Sequence, residues 1–151
     1  MSKTPGAGSP ERQLLRAGAP RQLQEASRGI ANELAQGRAV AAFPPELAGL
    51  YRPSVQGYMM SWLPLDPAAE LSRVAAPVLI VQGTTDLQVD VTDPRLLAAA
   101  QPRARLRLIE GMNHVLRTAP ADPIANLRTY SQAEQPLAAE LVPAIADFIG
   151  P

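Results

Sequence analysis

The strongest hydrophobic pattern in the chain is a short apolar run that is followed, further along, by an alternating segment. Residues 78–81 are uninterrupted apolar residues rich in β-branching, which is typical of a strand buried on both faces of a parallel sheet. Residues 104–109 alternate arginine with leucine and predict a second strand. Between them Asp93 precedes a proline and predicts the N-cap of a helix that ends near Ala100. The pattern predicts a β-α-β unit, whose right-handed crossover brings the loops after both strands to one edge of the sheet.

The flanking segments are predicted to be helical or irregular. Residues 20–36 place Leu23, Ala26, Ile30 and Leu34 on one face of a helix. Ser54 is a plausible N-cap for an apolar helix over residues 55–63. Residues 118–135 are polar and broken by prolines, which predicts a long surface loop. A last helix is predicted over residues 139–149, with four apolar residues facing inward: Leu141, Ile145, Phe148 and Ile149. Shorter helices are predicted at residues 10–16, 46–51 and 68–73.

The loops after the two predicted strands carry the residues with the clearest chemistry. The first loop reads Gly-Thr-Thr-Asp and ends at Asp86, and the second reads Gly-Met-Asn-His and ends at His114, the only histidine of the chain. This order resembles the C-terminal part of the α/β-hydrolase family, in which such motifs carry the acid and the base of a Ser-Asp-His triad. The resemblance implies a partial α/β-hydrolase fold, with residues 1–73 as a helical cap-like region with a flexible N-terminus. Residues 74–151 would form a βαβα C-terminal part with two parallel strands.

The same resemblance implies roles for these two residues. A serine would attack an ester or related acyl carbon, His114 would act as general base and then as general acid, and Asp86 would orient the imidazole. Two other aspartates are candidates for the role of the acid. Asp93 is explained by helix capping, and Asp90 lies between two valines, where the alternation of apolar and polar residues places it toward solvent. The simpler alternative is that both residues are structural. His114 would then cap a loop or form hydrogen bonds within the core, and Asp86 would be a solvated turn residue.

The family's G-x-S-x-G nucleophile motif occurs nowhere in the 151 residues. Ser54, Ser61 and Ser131 lie in ordered-looking segments, but none follows a strand at a sharp turn. Three hypotheses remain: an esterase-like hydrolase completed by another chain or assembly, an inactive fragment or binding module with a hydrophobic cap pocket, or a small hydrolase that uses a serine of its own. The apolar residues that would line such a pocket are equally explained by core packing: Tyr58, Met59, Met60 and Trp62.

Composition narrows the partners that can be expected. Charge is balanced, with 14 basic and 14 acidic residues, so neither nucleic acid nor an anionic membrane is predicted. Without cysteine, and with one histidine, no metal site, disulfide or cofactor is expected. The N-terminus has no apolar core typical of a secretory signal, so a cytoplasmic protein is expected. The expected ligand is a small ester or acyl substrate.

Two strands also raise a physical problem. A two-stranded parallel sheet leaves both outer edges unpaired and is not expected to be stable alone. We therefore expect a homo-oligomer, or pairing with a complementing N-terminal hydrolase chain.

Overall fold

The computed structural model describes Leu14 and residues 18–150, which belong to two compact units divided between Pro67 and Ala68. Within this part of the chain helices are combined with two parallel strands. The predictions for residues 1–13, a flexible start and most of a short helix, lie outside the described residues. None of the described helices has the length and hydropathy of a membrane-spanning segment.

The first unit is built from helices around one apolar cluster. It contains α1 (Arg21–Ala35), a 3-10 turn (Pro45–Leu47), α2 (Ala48–Tyr51) and α3 (Pro53–Trp62). Ile30 and Leu34, from the predicted face of α1, are buried in the cluster together with Leu47, Tyr51 and Met59. The prediction that Ser54 caps α3 is wrong: Arg52 occupies the N-cap position. The cause is the proline that follows Arg52, because its fixed φ suits the first helical position and starts the helix there.

A further helix, α4 (Pro67–Ser72), leads into the second unit, which holds the sheet. β1 (Leu79–Gly83) pairs in parallel with β2 (Arg105–Ile109), and the register aligns Leu79 with Arg105 and Gly83 with Ile109. The crossover helix α5 (Thr92–Ala100) packs on both strands. The last helix, α7 (Leu141–Ile149), packs on β1. The β-α-β expectation is thus met by the two strands and α5.

Asp93 does not cap the crossover helix. It lies inside the first turn of α5 and is buried, while the N-cap position belongs to Val91. The preceding turn is instead closed by Asp90, whose Oδ1 accepts a hydrogen bond from the Thr92 backbone N–H at 2.8 Å. The surroundings of Asp93 therefore differ from those predicted, since the helix starts one residue before it.

The predicted long loop after His114 is wrong as well. That segment forms α6 (Pro123–Arg128) and a 3-10 turn (Thr129–Ser131). Asp122 caps α6, with its Oδ1 accepting from the Ala125 backbone N–H at 2.8 Å, and Pro123 holds the first helical position. Asp-Pro is a helix-start signal, which the polar composition of the segment obscured.

Burial in the sheet unit is less complete than predicted. The side chains of β1 from Leu79 to Val81 are half-buried, and Leu141 is the buried residue of α7. Ile145 and Ile149, expected to face inward, are 39% and 75% exposed. The described residues contribute only two strands to the sheet, so there is too little partner surface to cover these side chains.

Candidate active site

Parallel pairing brings the two predicted loops together at one edge of the sheet. Gly83 and Ile109 end β1 and β2 as register partners. Beyond them the Thr84 N–H donates to the Ile109 carbonyl at 3.0 Å, and the Thr85 N–H donates to the Met112 carbonyl at 3.1 Å. These bonds extend the strand pairing into the loops, so the backbone itself aligns the residues that follow.

Each motif glycine has a physical reason to be glycine. A Cβ on Gly83 would lie 1.8 Å from the Met112 carbonyl oxygen, so the two loops approach more closely than any side chain permits. Gly111 has a φ of +68°, in the left-handed region that glycine adopts without strain. The local backbone geometry therefore requires a glycine three residues before Asp86 and another three residues before His114.

Asp86 and His114 are brought into direct contact. The Nδ1 atom of His114 lies 3.1 Å from Oδ2 of Asp86. The side chain of Asp86 is 7% exposed, whereas that of His114 is 40% exposed. One carboxylate is thus shielded behind an imidazole that solvent can reach, which is the arrangement that an orienting acid and a general base require.

Asp86 is held as a carboxylate by four donors. Oδ1 accepts from the backbone N–H groups of Gln88 at 2.7 Å and Val89 at 3.0 Å. Oδ2 accepts from Nε2 of Gln82 at 3.0 Å in addition to the contact with His114. Burial raises the pKa of Asp86, but the bonds from Val89, Gln88, Gln82 and His114 outweigh it and keep this pKa below its ordinary value.

An ionised Asp86 fixes the chemistry of the imidazole. Because a carboxylate only accepts hydrogen bonds, the ring donates to it through Nδ1–H. The lone pair of the neutral ring then lies on Nε2, the nitrogen that a general base uses. Beside the pair is a cavity of about 180 Å³, lined also by Val81, Val89 and Leu116.

A buried polar network behind the pair was not predicted. Asn113 is 1% exposed and donates through Nδ2 to Thr129 Oγ1 at 2.7 Å and to Asn126 Oδ1 at 3.2 Å. Its own Oδ1 accepts from the backbone N–H of Val115 at 3.2 Å and of Arg117 at 3.1 Å. The available signal was the Asp-Pro start of α6, since a helix there makes Asn126 and Thr129 neighbours on one face.

The remaining candidates have other surroundings. The hydroxyls of Ser61 and Ser131 each donate to a backbone carbonyl three residues earlier, of Tyr58 and Arg128 respectively, and Ser54 is exposed in the first turn of α3. In the predicted pocket segment Met59 is buried and Met60 and Trp62 pack against the same cluster, whereas Tyr58 is 72% exposed. Within the described residues no three His, Cys, Asp or Glu side chains are grouped so as to hold a metal ion.

Comparison with known proteins finds partial relatives. No family model matches the chain. Over 78 residues the chain is 37% identical to rhodomycin D methylesterase DnrP of Streptomyces peucetius and 35% identical to rhodomycin D methylesterase DauP of Streptomyces sp. strain C5. These relatives are esterases. Each match covers 52% of this chain and 26% of the relative, so the chain spans about a quarter of the length of the curated relatives it matches.

A solved structure also resembles the chain. Est816, described as an N-acyl homoserine lactone degrading enzyme, shares 23% sequence identity over 85% of this chain and 54% of its own. The TM-score is 0.34, which is too low to carry a structural argument. The two methylesterases support the expectation that the chain is of a hydrolase kind, and more narrowly of an esterase kind.

Proposed function

We propose that the chain carries the acid and base of a serine ester hydrolase of the carboxylesterase type. The observation that carries the proposal is the 3.1 Å contact between Nδ1 of His114 and the shielded carboxylate of Asp86. The name methylesterase of both relatives supports a carboxylic ester as the substrate. A partial α/β-hydrolase fold, with a cap-like region over residues 1–73 and a C-terminal part over residues 74–151, belongs to the same proposal.

The proposed reaction uses Nε2 of His114 twice. It takes the proton of a serine hydroxyl as that oxygen bonds to the ester carbonyl carbon, and it gives the proton to the departing alcohol oxygen. Water then attacks the carbonyl carbon of the acyl-serine as Nε2 takes its proton. Nε2 gives this proton to the serine oxygen as the acyl bond breaks, which releases the acid and free serine. Throughout, Asp86 holds the ring in the productive tautomer and stabilises its charged form.

The serine of this reaction is proposed to come from outside the 151 residues, since these contain no G-x-S-x-G. A complementing hydrolase chain, or an assembly that contains one, would supply it. The sheet supports a partner on physical grounds: β1 is apolar from Leu79 to Val81 and, among the described residues, pairs only with β2. On β2, Arg105 and Arg107 are exposed, which is typical of a protected edge. We therefore propose association through the β1 side.

The test is hydrolysis of a short-chain chromogenic ester by the purified chain, alongside His114→Ala, Asp86→Ala and the three serine-to-Ala variants at positions 54, 61 and 131. On this proposal the chain alone is inactive and gains turnover, dependent on His114, when a nucleophile-bearing hydrolase chain is added. Turnover by the chain alone that disappears in one serine variant names an internal nucleophile and overturns the proposed source of the serine. Equal inactivity of wild type and His114→Ala in both settings favours the binding-module alternative.

Association is tested separately by sedimentation velocity of the purified chain. The proposal expects a dimer or larger assembly, because unpaired strand edges attract a partner. A single monomeric species at micromolar concentration contradicts self-association and leaves a complementing chain as the proposed partner.

A further inference from the structure

Asn126 lies where the loop that carries Asp86 meets the loop that carries His114. Its side chain on α6 is 0% exposed. Nδ2 donates to the Thr85 carbonyl at 2.8 Å and to the Pro120 carbonyl at 3.1 Å. Oδ1 accepts from Nδ2 of Asn113 at 3.2 Å. A single buried amide thus bonds to both loops at once.

The bonded positions are the ones that aim the reactive side chains. Thr85 immediately precedes Asp86, and Asn113 immediately precedes His114. A shift of either backbone position moves the adjoining side chain directly, with no intervening flexible segment. Because Asn113 also accepts from two N–H groups of the turn after His114, the base loop is anchored to α6 through this amide pair.

Only a carboxamide fits these contacts. The site requires two N–H donors and one acceptor in a single plane, which asparagine offers and neither aspartate nor leucine does. Glutamine has the same groups on a longer stem, so it cannot reach the two loops from the same helix position without displacing one of them. An unbonded Thr85 or Pro120 carbonyl would be left in a buried position, which is unfavourable.

We propose that Asn126 is a positioning residue for the Asp86–His114 pair, clamping the acid loop and the base loop at the distance their hydrogen bond requires. The catalytic meaning of this clamp rests on the proposed function. The clamp itself does not, since it concerns the geometry of two side chains in the folded chain.

The experiment measures the tautomer of His114 by ¹⁵N NMR at a pH where the imidazole is neutral. The chain has a single histidine, so one ring gives the whole signal. In wild type the Asp86 carboxylate favours Nδ1–H. In Asn126→Ala the ratio of Nδ1–H to Nε2–H is expected to fall by about tenfold, the equivalent of one buried hydrogen bond.

Gln101→Ala is the matched control. Gln101 is a buried amide of the same unit, and its Nε2 donates to the Leu71 carbonyl at 3.2 Å and to the Val74 carbonyl at 2.9 Å. Its loss is expected to lower stability but to leave the His114 tautomer unchanged. If Asn126→Ala does not fold, Asn126→Ser replaces it, because serine is small and polar but cannot bond to both loops.

An unchanged tautomer ratio in a folded Asn126 variant overturns the proposal. An equal change of this ratio in Gln101→Ala also overturns it, because the cause would then be a general loss of stability. The two proposals fail separately. A tautomer change without any ester hydrolysis leaves the clamp intact and removes the proposed reaction. Ester hydrolysis that depends on His114, with a tautomer insensitive to Asn126, removes the clamp alone.

Discussion

Replacing Gly83 by alanine tests whether the two loops are aligned by direct backbone contact. The added Cβ would lie 1.8 Å from the Met112 carbonyl oxygen and 2.4 Å from its carbonyl carbon, both rigid backbone atoms. Since non-bonded heavy atoms in contact lie roughly 3.5 Å apart, the loops must separate by more than about 1 Å. That movement weakens the Thr85 N–H bond to the same carbonyl, now 3.1 Å, at the end of the sheet.

The expected loss of stability follows from two terms. Overpacking of a filled site is unfavourable by about 1–3 kcal/mol. Each lost backbone hydrogen bond adds about 1 kcal/mol. We therefore expect Gly83→Ala to lower the free energy of unfolding by about 2–4 kcal/mol, measured by urea denaturation followed by circular dichroism. Amide exchange of Thr85 should accelerate in parallel.

Gly29→Ala is the control with the same chemical change. Gly29 lies inside α1, and a Cβ there would meet nothing within 4 Å. Alanine is favoured over glycine in a helix by about 0.5–1 kcal/mol, so this variant should be more stable than wild type. Alignment of the loops by direct backbone contact is contradicted if the stability of Gly83→Ala stays within about 0.5 kcal/mol of wild type, or if both variants change in the same direction.

Two further predictions concern Asp86 and a buried hydroxyl. Because the pKa of Asp86 is lowered in the folded state, its contribution to stability is complete above the unfolded value of about 3.9 and is lost as pH falls through the folded pKa. Urea midpoints should therefore decline with acidification in that range, and Asp86→Asn should flatten the decline; an equally steep profile in the variant contradicts this. Tyr51→Phe removes a hydroxyl that lies 2.6 Å from Ser27 Oγ, and it should lower stability by about 1–2 kcal/mol. Tyr58→Phe, at a side chain that is 72% exposed, should change it little, and equal effects would show that the buried bond is not the cause.

Local patterns were sufficient to predict the β-α-β unit and the two loops. Apolar runs and alternation give strand positions, and parallel pairing dictates where the loops after them meet. The glycine of each loop motif marked a backbone constraint that the structure explains, at Gly83 by close approach and at Gly111 by a left-handed φ. The choice of Asp86 as the partner of His114 came from the resemblance to the α/β-hydrolase family, and their catalytic role stays a prediction.

The features that the sequence did not predict depend on tertiary packing. Asn113 and Asn126 are polar residues in segments of ordinary loop composition, and their burial depends on how α6 packs against the two loops. No local pattern reports a hydrogen bond between residues brought together by packing. The prediction that Ile149 faces inward is wrong for a related reason. The sequence pattern identifies an apolar face of the helix, but the surface that would cover this face depends on the number of strands in the sheet.

We propose above all that Asp86 and His114 form one acid–base pair. The most direct measurement compares the ¹⁵N shifts of the His114 ring in wild type and in Asp86→Asn, at a pH where the ring is neutral. In wild type we predict a predominant Nδ1–H tautomer, with the base lone pair on Nε2. In Asp86→Asn the new amide donates to Nδ1 and should reverse the tautomer. The same mixture of tautomers in both proteins would contradict the pair.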